Sequence, residues 1–281
     1  MNSITRIFYY LYRLFNTIKF LGILNTLKIF YFSKLSKSKI MDINLFNNKF
    51  YFRPQIDSGS YNRLTKSQYI VKSSLNHPIE YVIDAGSNIG SQAIRLINLN
   101  PRLKKIICIE PDTESCKLCT KNLSSYNSIV YNKALSNFSN IDLRIQKTIN
   151  SEMSEIIEDN NNIIQSNNFH NIKTISINDI IKNEELTKID FFKLDINGHE
   201  NELFEKNTDW LKITNCIGFN NADINKTTYT IIQKYRDAVG KIKIYNIDQM
   251  IFLMKDNIDW IPSKGFMSSK IIGHIETDHR Y

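Results

Sequence analysis

The segment from Tyr81 to Leu99 constrains this chain more than any other. Tyr81-Val82-Ile83-Asp84-Ala85 is an apolar run of strand length, and Gly86-Ser87-Asn88-Ile89-Gly90 follows it at once. Apolar residues at helical spacing then occupy Gln92–Leu99. A buried strand that turns on two glycines straight into a helix opens a βαβ unit, and it commits the chain to a parallel sheet. The alternation continues. Ile106–Ile109 reads as a second strand, Thr113 as the N-cap of a helix through Leu123, and Ile129–Leu135 as a third strand. Ile141–Ile145 and Ile172–Ile177 alternate like half-exposed strands. The rhythm resumes with a strand at Ile189–Leu194, a helix from Glu200 to about Phe204, a strand at Thr214–Phe219 and a helix over Thr228–Val239. Ile242–Asn246 and Met250–Met254 lie close enough in sequence to pair antiparallel. The expected fold is α/β: a mostly parallel, doubly wound sheet with an antiparallel C-terminal strand. In such sheets ligands bind beyond the carboxyl ends of the strands, where the strand order reverses.

Upstream, Ile43–Phe52 alternates and leads into Arg53-Pro54, which predicts a short strand and a turn. Leu64–Leu75 has helical spacing, closed by Pro78. The chain therefore divides into an extension over 1–42, a lead-in over 43–80 and a main domain over 81–281. Inside that domain, Asn150–Asn171 is polar and asparagine-rich, and a loop of that length is expected to close over an acceptor substrate at the sheet's carboxyl edge.

Charge is concentrated at one end. Residues 1–41 carry Arg6, Arg13, Lys19, Lys28, Lys34, Lys37 and Lys39 and no acid, which supplies seven of the eight net positive charges. The remaining residues are near neutral, so composition argues against a nucleic-acid partner. The same stretch is apolar and aromatic, but its charges interrupt every run long enough to span a bilayer, and no signal peptide is read in it. Two roles suit it: a basic amphipathic helix lying peripherally on an anionic membrane through residues 1–36, or a helical hairpin capping the main domain. The four cysteines, Cys108, Cys116, Cys119 and Cys216, form no disulfide framework and are expected to be reduced thiols of a cytoplasmic protein. Cys116-x-x-Cys119 has no second ligand pair and is read as helix packing.

The residues at successive strand ends carry the chemistry. Gly86 and Gly90 allow a tight turn and close backbone approach, and the helix after them offers free N–H groups. Asp84 before them would repel a pyrophosphate but suits a cation such as the aminoacyl ammonium of S-adenosylmethionine. The second strand ends Ile109-Glu110-Pro111-Asp112, and an acid 24 residues after Gly86 can accept from both hydroxyls of a ribose. A nicotinamide-dependent oxidoreductase is disfavoured by the missing third glycine and by Asp84.

The strand ending Phe192-Lys193-Leu194-Asp195 runs on into Ile196-Asn197-Gly198-His199-Glu200. Together these segments resemble the FkbM family of methyltransferases, in which a D-x-G-x-N-x-G turn, an E-P strand end and a K-x-D-x-E-G-x-E segment recur in this order. The resemblance runs from about Val82 to Phe219 and takes in Thr174–Ile181, while Arg53-Pro54 with Asp57 is similar to an upstream R-P-x-x-D element. It implies a Rossmann-like fold and S-adenosyl-L-methionine as cofactor, held by Asp84, Gly86, Ser87, Asn88, Gly90, Glu110, Pro111 and Ala134. It implies methylation of an oxygen, on a sugar of a glycan or glycolipid acceptor. Asp195 is then the candidate base or metal ligand, with Glu200 and His199 beside it. Two positions depart from the family pattern. Asn197 replaces an acid, and the fifth strand reads Asn220-Asn221 where the family often shows an acid and a histidine. Asp195, Asn220 and Asn221 could offer oxygens to Mg²⁺, but amide ligands hold that ion weakly, and the site is read as metal-free. The same departures leave a second reading open, a cofactor-fold binding protein that recognises a glycan or a partner without methyl transfer.

Overall fold

The computed structural model describes residues 11, 14, 15, 18, 22–32, 40–57, 69–146, 155–157, 169–196, 200–220, 226–247 and 250–264. Helix α1 (Ile23–Phe32) precedes a hairpin of β1 (Met41–Leu45) and β2 (Asn48–Phe52). The hairpin turns on Phe46-Asn47, both at positive φ (49° and 64°), as a two-residue turn between right-twisted strands demands. Its alternate residues Met41, Ile43, Leu45, Phe50 and Phe52 enter the same core as Val82 and Ile106 of the main sheet.

The helix expected over Leu64–Leu75 is absent from its described part. Tyr69 and Ile70 form β3 (Tyr69–Ile70), and the chain from Val71 to Glu80 has no regular structure. The reason lies in the burial period. Tyr69 and Val71 are both buried, two apart, and the side chain of Asn100 accepts from Ser73 N at 2.7 Å and donates to Val71 O at 3.1 Å. Those bonds hold the segment extended where helix spacing alone had suggested a turn of helix.

The main domain follows as β4 (Tyr81–Ala85), α2 (Ser91–Leu99), β5 (Lys105–Ile109), α3 (Thr113–Asn122) and β6 (Ser128–Tyr131). Next come β7 (Ala134–Ser136), β8 (Asp142–Gln146), β9 (Glu155–Ile157), β10 (Phe169–Ser176) and α4 (Ile177–Asn183). The chain continues through β11 (Ile189–Leu194), α5 (Glu200–Leu203), α6 (Trp210–Ile213), β12 (Thr214–Asn220) and α7 (Lys226–Val239). It closes with β13 (Ile242–Ile247), β14 (Met250–Lys255) and β15 (Ser263–Lys264), which pairs with β3.

Seven strands form one sheet in the order β13-β14-β12-β11-β4-β5-β6. The pairs β12/β11, β11/β4, β4/β5 and β5/β6 are parallel, whereas β14 runs antiparallel to both its neighbours. The expected Rossmann-like sheet with a reversed C-terminal strand is what forms. Its central strands bury both faces. Val82, Ile106, Phe191 and Phe252 join the core shared with the hairpin, while Ile83, Ile107, Phe192 and Leu253 face a second core containing Trp210, Ile231 and Tyr235. Full burial of each phenylalanine contributes about 1.5–3 kcal/mol.

The structure departs from the sequence expectation at two further points. The single strand expected over Ile129–Leu135 is two strands in different sheets. Asn132 Nδ2 donates to the carbonyls of Glu110 and Pro111, both at 3.0 Å, and draws the chain out of the main sheet after Tyr131. Ala134–Ser136 then pairs parallel with β10 in a four-stranded sheet, β7-β10-β8-β9. The cap of α3 is Asp112, whose Oδ1 accepts from Ser115 N at 2.8 Å, and Thr113 is the first helical residue.

Candidate active site

The strand order reverses at β4, which has β5 on one side and β11 on the other. The three segments singled out in the sequence therefore meet at one sheet edge: the glycine turn after β4, Glu110 after β5, and Asp195 after β11.

The turn is fixed by backbone contacts that tolerate little change. Gly86 has φ +70°, and its N–H and that of Ser87 both donate to Ile109 O, at 3.0 and 3.2 Å. A Cβ on Gly86 would overlap the carbonyl oxygen of Asp195. Asn88 is left-handed at φ +50°, and its Oδ1 accepts from Ile89 N at 2.7 Å. Gly90, at φ +81°, is the residue before α2 and offers no side-chain cap, so the helix presents its first N–H groups towards the turn. Ser87 is buried, with its hydroxyl 3.7 Å from the thiol of Cys119.

Glu110 sits beside this turn, almost fully buried. Its Oε2 accepts from Asn88 N at 2.7 Å and its Oε1 from Asp112 N at 2.8 Å. Burial pushes the carboxyl up to about 7, against the pull of those two backbone N–H groups. The unfolded chain should ionise this group near its ordinary 4.5, so between there and about 7 it releases a proton that the folded protein keeps. Stability from this residue is thus full at low pH and is lost as pH rises through about 7. Relative to Glu110→Gln, which cannot titrate, the wild type should lose about 3 kcal/mol between pH 4 and 8. Urea unfolding of both proteins across that range checks it. A constant difference would mean that Glu110 titrates as an ordinary carboxylate.

Asp84 and Lys193 form the floor of the site. Both side chains are essentially buried, and Lys193 Nζ stands 2.9 Å from Asp84 Oδ1. The ammonium donates hydrogen bonds to Ala85 O at 3.1 Å and Gly86 O at 3.2 Å and meets Asp84 as an ion pair. Neither carboxylate oxygen of Asp84 has a hydrogen-bond partner among the described residues, and Oδ2 also lies outside the ion pair. In the sequence Lys193 stands only as a letter of the K-x-D motif. A lysine within Ile189-Asp190-Phe191-Phe192-Lys193-Leu194, a strand buried along its length, was the available signal, because such a charge requires a partner.

Asp195 continues from β11 with its N–H donating to Ala85 O at 3.2 Å, and its Oδ2 lies 3.9 Å from Lys193 Nζ. Its side chain is partly exposed. Glu200, at the start of α5, accepts from Ile196 N at 3.0 Å. His199 and Asn197 lie outside the described residues, as does Asn221. Asn220 is exposed at the end of β12, opposite Met250. Among the described residues no group of three or more His, Cys, Asp or Glu side chains could hold a metal. Cys116 and Cys119 lie on the buried side of α3, and burial pushes the Cys116 thiol up to about 12. Ala134 packs with Ile145 and Ile172 in a small apolar cluster of the second sheet, and Pro111 offers its carbonyl to Asn132.

The R-P-x-x-D element supports the site from outside. Arg53 Nε and Nη2 donate to the fully buried carboxylate of Asp57 at 2.9 and 2.7 Å, and Nη2 also reaches Ser115 Oγ at 3.0 Å in the first turn of α3. Asn122, at the other end of α3, accepts from Tyr51 N and donates to Ile89 O, joining the hairpin to the glycine turn.

Residues 84–260 match the family model described as the methyltransferase FkbM domain. The chain belongs to the FkbM methyltransferase family. The matched span covers the glycine turn, Glu110, Lys193 and Asp195, so every segment that meets at the sheet edge falls within the family domain. No curated protein matches the chain. Among solved structures it is similar to a ribosomal protein L11 methylase from Lactobacillus delbrueckii subsp. bulgaricus, with 13% identity, TM-score 0.35 and coverage of 68% of this chain and 72% of that one. It is also similar to a precorrin-6y C5,15-methyltransferase from Geobacter metallireducens, with 11% identity, TM-score 0.36 and coverage of 70% and 88%. Those structural overlaps are shallow, and membership rests on the family match.

Proposed function

We propose that the protein transfers the methyl group of S-adenosylmethionine to an oxygen, a sugar hydroxyl of a glycan or glycolipid precursor. Glu110 is the observation that carries the cofactor part. Each carboxylate oxygen already accepts one backbone N–H, and each keeps a second lone pair. Two such acceptors side by side, beside a glycine turn, suit the paired hydroxyls of a ribose. The unpartnered Asp84 Oδ2 gives the turn a further acceptor at its base. The oxygen and the sugar come from the family resemblance. Reduced cysteines, all buried, suit a cytoplasmic site of action.

The bound cofactor supplies a methyl group already activated on a sulfonium. What remains for the protein is alignment and removal of a proton. Gly86 lets the ligand approach the backbone, and the Lys193 ammonium keeps the strand ends in register beneath it. Asp195, partly exposed at the end of β11, accepts the proton of the attacking hydroxyl. Glu200 accepts from Ile196 N just beyond it, and His199 precedes Glu200 in sequence. No step calls on Mg²⁺ at Asp195, Asn220 and Asn221.

Calorimetric titration with S-adenosylmethionine, using NAD as control, tests the cofactor part. The wild type should bind S-adenosylmethionine alone, and Glu110→Gln should bind at least about tenfold more weakly while remaining folded by circular dichroism. Preference for NAD, or failure of the folded protein to bind, would refute the assignment. Cofactor binding without turnover on glycan acceptors would favour the non-catalytic reading.

A further inference from the structure

Helix α1 is oriented against the usual rule. Thr26 and Ile29 are buried, with Ile29 in the core shared with the hairpin, and Lys28 Nζ donates to Asp42 O at 3.0 Å. The opposite side carries Ile23, Leu24, Leu27 and Tyr31, which are 59%, 80%, 60% and 64% exposed. At about 100° per residue these four fall within one arc of about 100°, so they form a continuous apolar strip. A second exposed set precedes it. Leu11, Leu14 and Phe15 share helical spacing and lie open to solvent. The two sets are separated by Gly22, whose φ of +79° ends the first helical stretch while its N–H donates to Ile18 O at 2.8 Å.

Seven exposed apolar side chains, four of them held outward by a helix whose other side is anchored, make an interaction surface. Charge indicates its partner. The sequence around these faces, residues 1–41, has seven basic residues and no acid, so it complements a surface of dense negative charge. No helix among the described residues is long and apolar enough to cross a membrane. We propose that α1 and the apolar residues before it dock the protein onto an anionic lipid bilayer, lying in the headgroup region with Leu24, Leu27 and Tyr31 turned into the acyl boundary. The inference is independent of which acceptor is methylated.

The full chain should cosediment with vesicles of phosphatidylcholine containing one third phosphatidylglycerol, and much less with phosphatidylcholine alone. Raising the salt to about 1 M should remove most of that binding, since screening weakens the basic contribution. Leu24→Glu/Leu27→Glu should lower the partition at least about tenfold, with an unchanged thermal melt and unchanged S-adenosylmethionine titration, because both side chains are exposed in the folded protein. Equal binding of wild type and variant would overturn the proposal. So would absence of vesicle binding, whether the wild type is then a monomer or a dimer that the variant dissociates. The dimer outcome would assign the strip to a second copy of the chain.

Discussion

Gly86→Ala is expected to destabilise the protein by about 4 kcal/mol and to eliminate cofactor binding at any concentration where it stays folded. Two independent costs add. The residue sits at φ +70°, where an L side chain costs roughly 1–2 kcal/mol. The new methyl would also overlap the carbonyl oxygen of Asp195, a backbone atom that no rotamer change can move. Relief requires β4 and β11 to part at their carboxyl ends. That separation would break the Asp195 N–H bond to Ala85 O and stretch the contacts of Lys193 to Ala85 and Gly86. Gly90→Ala makes a useful contrast. It is also left-handed at φ +81°, but its Cβ would meet the Cys119 thiol at 3.0 Å, with Leu123 and the Cys119 backbone no nearer than 3.5 Å. Its loss should be about half as large. Urea unfolding of both variants, with calorimetry on whatever remains folded, measures the two costs. Equal and small losses would show that the strand ends move apart easily.

The contrast between these glycines bears on what the sequence could reveal. The turn was legible because its requirement is local: a strand, two glycines and a helix in succession admit few conformations. Glu110 was legible for the same reason, as an acid at a strand end at the right distance from the turn. The antiparallel end of the sheet could be read from two short apolar runs with little chain between them. What escaped depends on contacts distant in sequence. The break after Tyr131 is made by Asn132 reaching the carbonyls of Glu110 and Pro111, and Asn132 looks like any polar residue. Residues 69–71 are extended because Asn100 and β15 bind them from far along the chain. The apolar composition of α1 was evident, but which side faced the core was not. Helical spacing fits either orientation when residues as unlike as Thr26 and Leu24 compete for burial. Lys193 was visible as a letter in a motif, while its role needed the knowledge that Asp84 stands on the adjacent strand.

Lys193→Met should therefore cost about 3–5 kcal/mol, because it leaves Asp84 buried and charged with its ion-pair partner removed. The loss should come from the partner left behind more than from the pair itself. A double variant, Lys193→Met with Asp84→Leu, removes both charges and should recover most of the lost stability, as replacement of buried pairs by apolar groups commonly does. Binding should not recover with it. The ammonium also holds the carbonyls of Ala85 and Gly86, and Asp84 contributes the acceptor at the base of the turn. The double variant should thus melt near the wild-type temperature yet fail to bind S-adenosylmethionine. A purely structural ion pair would give the opposite separation, with binding returning alongside stability. Measured as a double-mutant cycle, a coupling below about 1 kcal/mol would show that Asp84 finds another way to be neutralised, by protonation or by water, and that the two strand ends do not depend on the pair.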